Sequence, residues 1–130
     1  MFESPEILRM AHAMARHASA RQAVISTNVA HADTPGYRAQ DTVPFAEHYR
    51  TVRSGADDLR ATRPSHTGLS TRGSDPRLHE VFVPGGADPN GNTVSIESEM
   101  IRAAEARHQH DLALGIYRSA STILRRCLGR

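Results

Sequence analysis

Lysine and tryptophan are absent from the 130 residues, cysteine occurs once, and aromatic residues are limited to three Phe and three Tyr apart from histidine. Each shortage excludes something. A single cysteine, Cys127, leaves no intramolecular disulfide and no Cys-pair metal motif. With few aromatics and many Ala in the 38% hydrophobic content, there is little area for a self-sufficient core. The chain therefore reads as one modest domain completed by partners. No apolar run approaches the ~20 residues of a membrane-spanning helix. The opening Met-Phe-Glu-Ser-Pro-Glu-Ile has neither the basic nor the long apolar region of a cleaved signal peptide. The expected location is the cytosol, or a site reached by an export route that needs no such signal.

What the chain does have is charge of both signs in near balance. Its 16 basic residues are all Arg, against 14 acidic ones, for a net +2. They are spread from Arg9 to Arg130, with Arg125-Arg126 the only adjacent pair, so no basic face of the kind that binds nucleic acid stands out.

Two long helices are expected at the ends of the chain. Ser4 can cap the first, Pro5 suits its first turn, and Glu6 complements the positive helix end. Leu8, Ala11, Ala15, Ala18, Gln22, Ile25, Val29 and Ala32 then follow in steps of three and four, a packing stripe in the manner of a coiled coil. The second helix is expected over about Ile96 to Leu128, with Ser95 as cap and Glu97 and Glu99 in its first turn. Its stripe includes Ile96, Met100, Leu112, Ile116, Ala120, Ile123 and Cys127.

Between the helices the composition changes. Arg38 to Val43 reads as extended, and Pro44 can start a short helix carrying Phe45, Tyr49 and Val52 on one face. Residues Arg53 to Asn92 are rich in Gly, Pro, Ser, Thr, Arg and Asp, with a short strand expected over His79 to Val83. The fold class is mainly α: long terminal helices packing as a coiled-coil-like pair, joined by a loop-rich, partly disordered middle. Three segments follow: 1–37 with the first helix and its closing turn, 38–92 as the middle, and 93–130 as the last helix. The two helices together form one axial domain.

Catalytic chemistry finds no foothold. Eight histidines include His12/His17 and His108/His110, but neither spacing sets two ligands on one helical face, and no His-Glu-x-x-His run accompanies them. No Gly-x-Ser-x-Gly elbow holds a nucleophile, and the Gly-rich Pro84–Gly86 lacks the Lys-Ser/Thr of a phosphate loop. Cys127, on an apolar stripe, reads as a buried small side chain. No enzyme, metal or cofactor is expected.

The most informative stretch closes the first helix. Pro35 lacks an N–H and biases Thr34 away from helical angles, while Pro35-Gly36 suits the centre of a type II turn with Gly36 at positive φ. Asp33 and Thr34 can bond nearby backbone groups, and Asn28 can cap or cross-link the turn or simply pack as a polar residue.

Asn28-Val-Ala-His-Ala-Asp-Thr-Pro-Gly-Tyr37 resembles the N-I-A-N-A-D-T-P-G-Y signature of the rod and hook axial proteins of the bacterial flagellum. Asn90-Gly-Asn-Thr-Val94, running into Ser95-Ile-Glu-Ser-Glu-Met100, is similar to that family's D-G-N-T-V entry to the last helix. Ala61–His66 is a weaker match, and Ser26-Thr27, His31, Ala106 and His110 depart from the pattern. The resemblance implies an axial structural subunit of the proximal rod, helping transmit torque and line the export channel in the periplasm. It marks Asn28, Ala30, Asp33, Thr34, Pro35, Gly36 and Tyr37 as an assembly and turn motif. Implied partners are copies of itself, other rod proteins, the rod–export-gate adaptor FliE and the flagellar type III export apparatus, with no nucleic acid and no membrane span. Another proximal rod or hook-type protein and a small cytosolic helical adaptor remain open as alternatives.

Overall fold

The computed structural model describes residues 6–53, 76–80 and 87–129. The expected cap at Ser4-Pro5, the Val81–Val83 run, the Ala61–His66 match and the expected mobility of most of the middle segment lie outside these residues. Within them the fold is mainly helical. Helix α1 spans Glu6–Ala30, strand β1 Gln40–Thr42, helix α2 Phe45–Arg53, strand β2 Leu78–Glu80 and helix α3 Ile96–Cys127. At 1.5 Å per residue the two terminal helices run about 38 and 48 Å. Ser95 caps α3 as expected, its side chain accepting from the Ser98 amide, with Glu97 and Glu99 in the first turn.

Helices α1 and α3 lie antiparallel. Asn28, near the end of α1, meets Glu99 at the start of α3; Arg21 meets Glu105; and Ile7 shares a groove with Leu112 to Ile123. The seam between them repeats every seventh residue on both sides. From α1 come Ala11, Ala18 and Ile25; from α3 come Glu99, Ala106, Ala113 and Ala120, all buried. A seven-residue period keeps one stripe facing its partner along a left-handed supercoil, and alanine lets two helix backbones approach closely.

This seam corrects the expected stripe on α3. Only Ala120 is shared with it. Met100, Leu112 and Ile123 are 67, 49 and 61% exposed, as is Val29 of α1 at 43%; Ile116, Leu8 and Ala15 are half-buried. Large apolar side chains would hold the backbones apart, so the close pairing selects alanines and turns the bulkier residues outward. Cys127 is also exposed, not buried, in the last turn of α3.

Strand β1 and helix α2 lie against α1. Strands β1 and β2 pair antiparallel with Asp41 opposite His79, and the Val43 amide donates to the Arg77 carbonyl at 3.0 Å. Pro44 opens α2, its carbonyl accepting from the Glu47 and His48 amides. Phe45 and Tyr49 stack one turn apart, centroids 5.5 Å, while Val52 stays exposed.

Candidate assembly site: two interlocked turns

The turn that closes α1 has the expected geometry. Gly36 has φ +72°, and the Tyr37 amide donates to the Thr34 carbonyl at 3.3 Å, the two marks of a type II turn centred on Pro35-Gly36. Ala30 is the last residue of α1. Asp33, Thr34, Pro35 and Gly36 are exposed, while Tyr37 is half-buried and stacks on His31 with centroids 4.6 Å apart and planes 8° from parallel.

The second turn, Asp88 to Asn92, docks on the first. Its Gly91 amide donates to Asp88, Gly36 donates to the Asn90 carbonyl at 3.0 Å, and Thr93 donates to the Tyr37 carbonyl at 3.0 Å. Gly91 is also at positive φ, and a Cβ there would just touch the Gly36 Cα at 3.4 Å, so its backbone conformation rather than space calls for glycine. Asn92 is the pin. Its Nδ2 lies 3.0, 2.6 and 3.0 Å from the carbonyls of His31, Ala32 and Thr34, while its Oδ1 accepts from the Val94 amide. Two N–H groups shared among three carbonyls serve the unwinding end of α1, which has no further helical turn to donate to them. The side chain is 1% exposed.

Asn28 completes the joint from inside. Its Nδ2 donates to the Gln40 carbonyl at 2.7 Å and to Glu99 Oε2 at 3.1 Å. Its Oδ1 accepts from the Gln40 amide at 3.2 Å and the Tyr37 hydroxyl at 3.3 Å. All four of its hydrogen-bonding positions are filled, so one fully buried side chain ties α1, β1 and α3 together. Arg102 donates to the other Glu99 oxygen, and its Nε lies 4.0 Å from Asp41.

About two and three turns back along α1, the polar joint continues through Arg21 and His17. Arg21 grips Asp41 with two bonds of 3.0 and 2.9 Å and reaches Glu105 at 3.4 Å. Burial pushes the Asp41 carboxyl up, but the Arg21 hydrogen bonds, the Thr42 amide and the nearby Arg21 and Arg102 charges outweigh it, holding the group below its ordinary value. The bond to Asp41 raises Arg21 in turn. His17 is buried beside this pair. Its Nε2 donates to the Val43 carbonyl at 2.8 Å and its ring meets Phe45 edge-on at 5.6 Å. Desolvation lowers the pKa of His17 from 6.5 against the opposing pull of that carbonyl, and the His48 and Arg21 charges add to the lowering.

The arrangement ties α1, β1 and α3 together through hydrogen bonds and an ion pair. The described residues contain no group of three His, Cys, Asp or Glu able to hold a metal ion. No helix among them is long and apolar enough to cross a membrane. Of the residues expected in the turn motif, Asn28, Thr34, Gly36 and Tyr37 make the joint, through side chain or backbone. Asn92, Glu99, Arg21 and Asp41 are equally part of it, though none of them was expected in the turn motif. Glu99 had a visible signal, a polar residue in register with Ala106, Ala113 and Ala120; Asn92 had none beyond its place in the Asn90–Val94 match.

No family model matches the chain. Curated relatives do. The chain is 31% identical over 116 residues to the flagellar basal body rod protein FlgB of Agrobacterium fabrum, covering 88% of this chain and 86% of that protein. It is 30% identical over 100 residues to FlgB of Escherichia coli strain K12, 72% of each chain. It is 34% identical over 103 residues to FlgB of Yersinia enterocolitica, 72% of this chain and 74% of that one. With the two interlocked turns and the paired terminal helices in place, these similarities establish that the chain belongs to the FlgB family of flagellar basal body rod proteins.

Proposed function

We propose that the chain is a structural, non-enzymatic subunit of the proximal rod in the flagellar basal body, where it helps transmit torque and line the export channel. One observation carries this reading beyond family membership: the α1/α3 pair spends its alanines on its own seam and turns its larger apolar side chains outward. Leu112, Ile116 and Ile123 line an open groove with Ile7, and Met100, Ile101 and Val29 are exposed near the other end. Apolar surface of this kind on a slender helix pair is suited to burial against neighbouring helices. The packing residues Leu8, Ala11, Ala15, Ala18, Ile25, Val29, Met100, Leu112, Ile116 and Ile123 thus divide between two roles. Ala11, Ala18 and Ile25 close the chain on itself, and the exposed members meet other subunits.

The partners are copies of the chain, other rod proteins and the adaptor FliE, after passage through the flagellar type III export apparatus to the periplasm. The segments 1–37, 38–92 and 93–130 act as helix and turn, middle region and second helix of one axial unit. In a strain lacking the gene, basal bodies with a rod should be missing and swimming lost, both restored by the wild-type chain. Normal basal-body counts in that strain defeat the proposal.

A further inference from the structure

Helix α2 is held to the rest of the chain by little. None of its residues is fully buried. It runs back along α1, with Phe45 and His48 beside His17 and Arg53 beside Glu6. The Arg53–Glu6 ion pair, at 3.1 Å, joins two side chains that are both more than half exposed. Such a pair adds little, because water screens it. The hold therefore centres on His17. Among the described residues, both rings that pack against it come from α2: Phe45 edge-on and His48, each with centroids 5.6 Å away.

The His17 ring is neutral in this closed arrangement. The Val43 carbonyl can only accept, so Nε2 carries the proton. Nδ1 is then a lone pair, buried, with no hydrogen-bond partner among the described residues. A second proton there would create an N–H with neither an acceptor nor water to meet it. The charged neighbours reinforce this. Arg21 on α1 and His48 on α2 oppose a positive charge on the ring; Asp41 on β1 favours one, but Arg21 and Arg102 already engage it. His79 of β2 brings no negative charge, and α3 offers the uncharged Gln109, with Glu105 turned to Arg21. Because Nδ1 is shut off from water, it takes up a proton only once its cover has moved. Proton uptake and opening are thus one event, and acid drives both.

We infer that α2 is an acid-released flap: protonation of His17 frees α2 from α1 while Asn28, Asn92 and Glu99 keep α1 fastened to α3. Those three side chains are bonded without help from any residue of α2. Release bares Phe45 and Tyr49, both half-buried in the closed chain. At low pH the chain then presents an apolar surface that it covers at neutral pH.

The test is NMR of the full ¹⁵N-labelled chain across neutral to mildly acid pH, with amide exchange normalised to the unfolded chain at each pH. Protection over residues 47–53 should fall by up to about tenfold at about pH 5.5, one unit below the ordinary 6.5 of histidine. Protection of the Asn28, Ala106 and Ala113 amides should hold. The ring signals of His17 and the amide shifts of α2 should change together, with one midpoint below 6.5. His17→Gln keeps an N–H for the Val43 carbonyl and cannot take the proton, so its α2 protection should stay level with pH. Should that variant fail to fold, the shared midpoint in the wild-type chain decides alone. Loss of protection in all three helices together is unfolding of the whole chain and overturns the flap. Unchanged α2 protection, separate midpoints for His17 and α2, or an equal acid response in His17→Gln overturns it too.

Discussion

The two halves of the α1/α3 pair are held by opposite means. Toward the end of α1, Asn28, Asn92, Glu99, Arg102, Arg21 and Asp41 form a continuous polar joint with short, directional bonds. Toward the start of α1, the same helices meet through Ala11, Ala113 and Ala120. Directional bonds fix one register, since a shift by a single residue would strand several buried polar groups at about 1–3 kcal/mol each. Alanine contacts bury little area, so the second half contributes close approach more than energy. One half specifies and the other adapts. In a chain with so few large core residues, register has to come from polar groups, and the apolar side chains left over are free for neighbours.

The sharpest way to break the specifying half is Asn28→Ala. It leaves Glu99 Oε2 and the Gln40 amide and carbonyl without their buried partner, and about 3 kcal/mol of stability should be lost. Chemical denaturation of the chain measures this. A loss near that of an exposed substitution would show that the joint does not set the register.

On the adapting half, Ala113→Leu forces a large side chain into the seam at a position 1% exposed. Overpacking there should cost about 2 kcal/mol, with the melting temperature as readout. A neutral result would mean that the helices separate easily at this end.

Gly36→Val tests the turn under the joint. Nothing lies within 4 Å of the added Cβ, so space is not the obstacle; φ of +72° is. A branched residue there should cost about 1.5 kcal/mol, visible in the same denaturation and as reduced swimming.

His17 makes the joint sensitive to pH. Its folded pKa lies below 6.5, so between 6.5 and that lower value the unfolded chain binds the proton in preference. Stability should fall as pH drops through this window, and His17→Gln should flatten that slope. Asp41 is shifted in the same direction but in a more acid window: its depressed pKa adds stability above 3.8, lost as pH falls through the folded value. The two groups are thus separable by where the melting temperature declines.

Ile123→Asp should have the smallest effect on the single chain, within about 0.5 kcal/mol, since the residue is 61% exposed. Its effect on assembly should be large, because a charge would enter an apolar interface. Equal loss of stability and assembly would place Ile123 in the chain's own core instead.

Local chemistry determined much of this protein in advance. Pro35 and Gly36 set the turn because one removes a donor and the other tolerates positive φ; Ser95 caps α3; Pro44 starts α2. The two turn motifs were also legible as a family signature. Tertiary structure decided which faces pair. Hydrophobic size pointed to Met100, Leu112 and Ile123 for the seam of α3, but the distance between two helix backbones is not written in either helix separately. Once that distance is short, alanine is favoured along most of the seam, and Glu99 in the same register is buried because Asn28 and Arg102 reach it. Asn92 gains its role in the same way, through a contact 60 residues back along the chain to Ala32. A side chain's partners at that separation depend on the fold that brings them together, and no local pattern contains them.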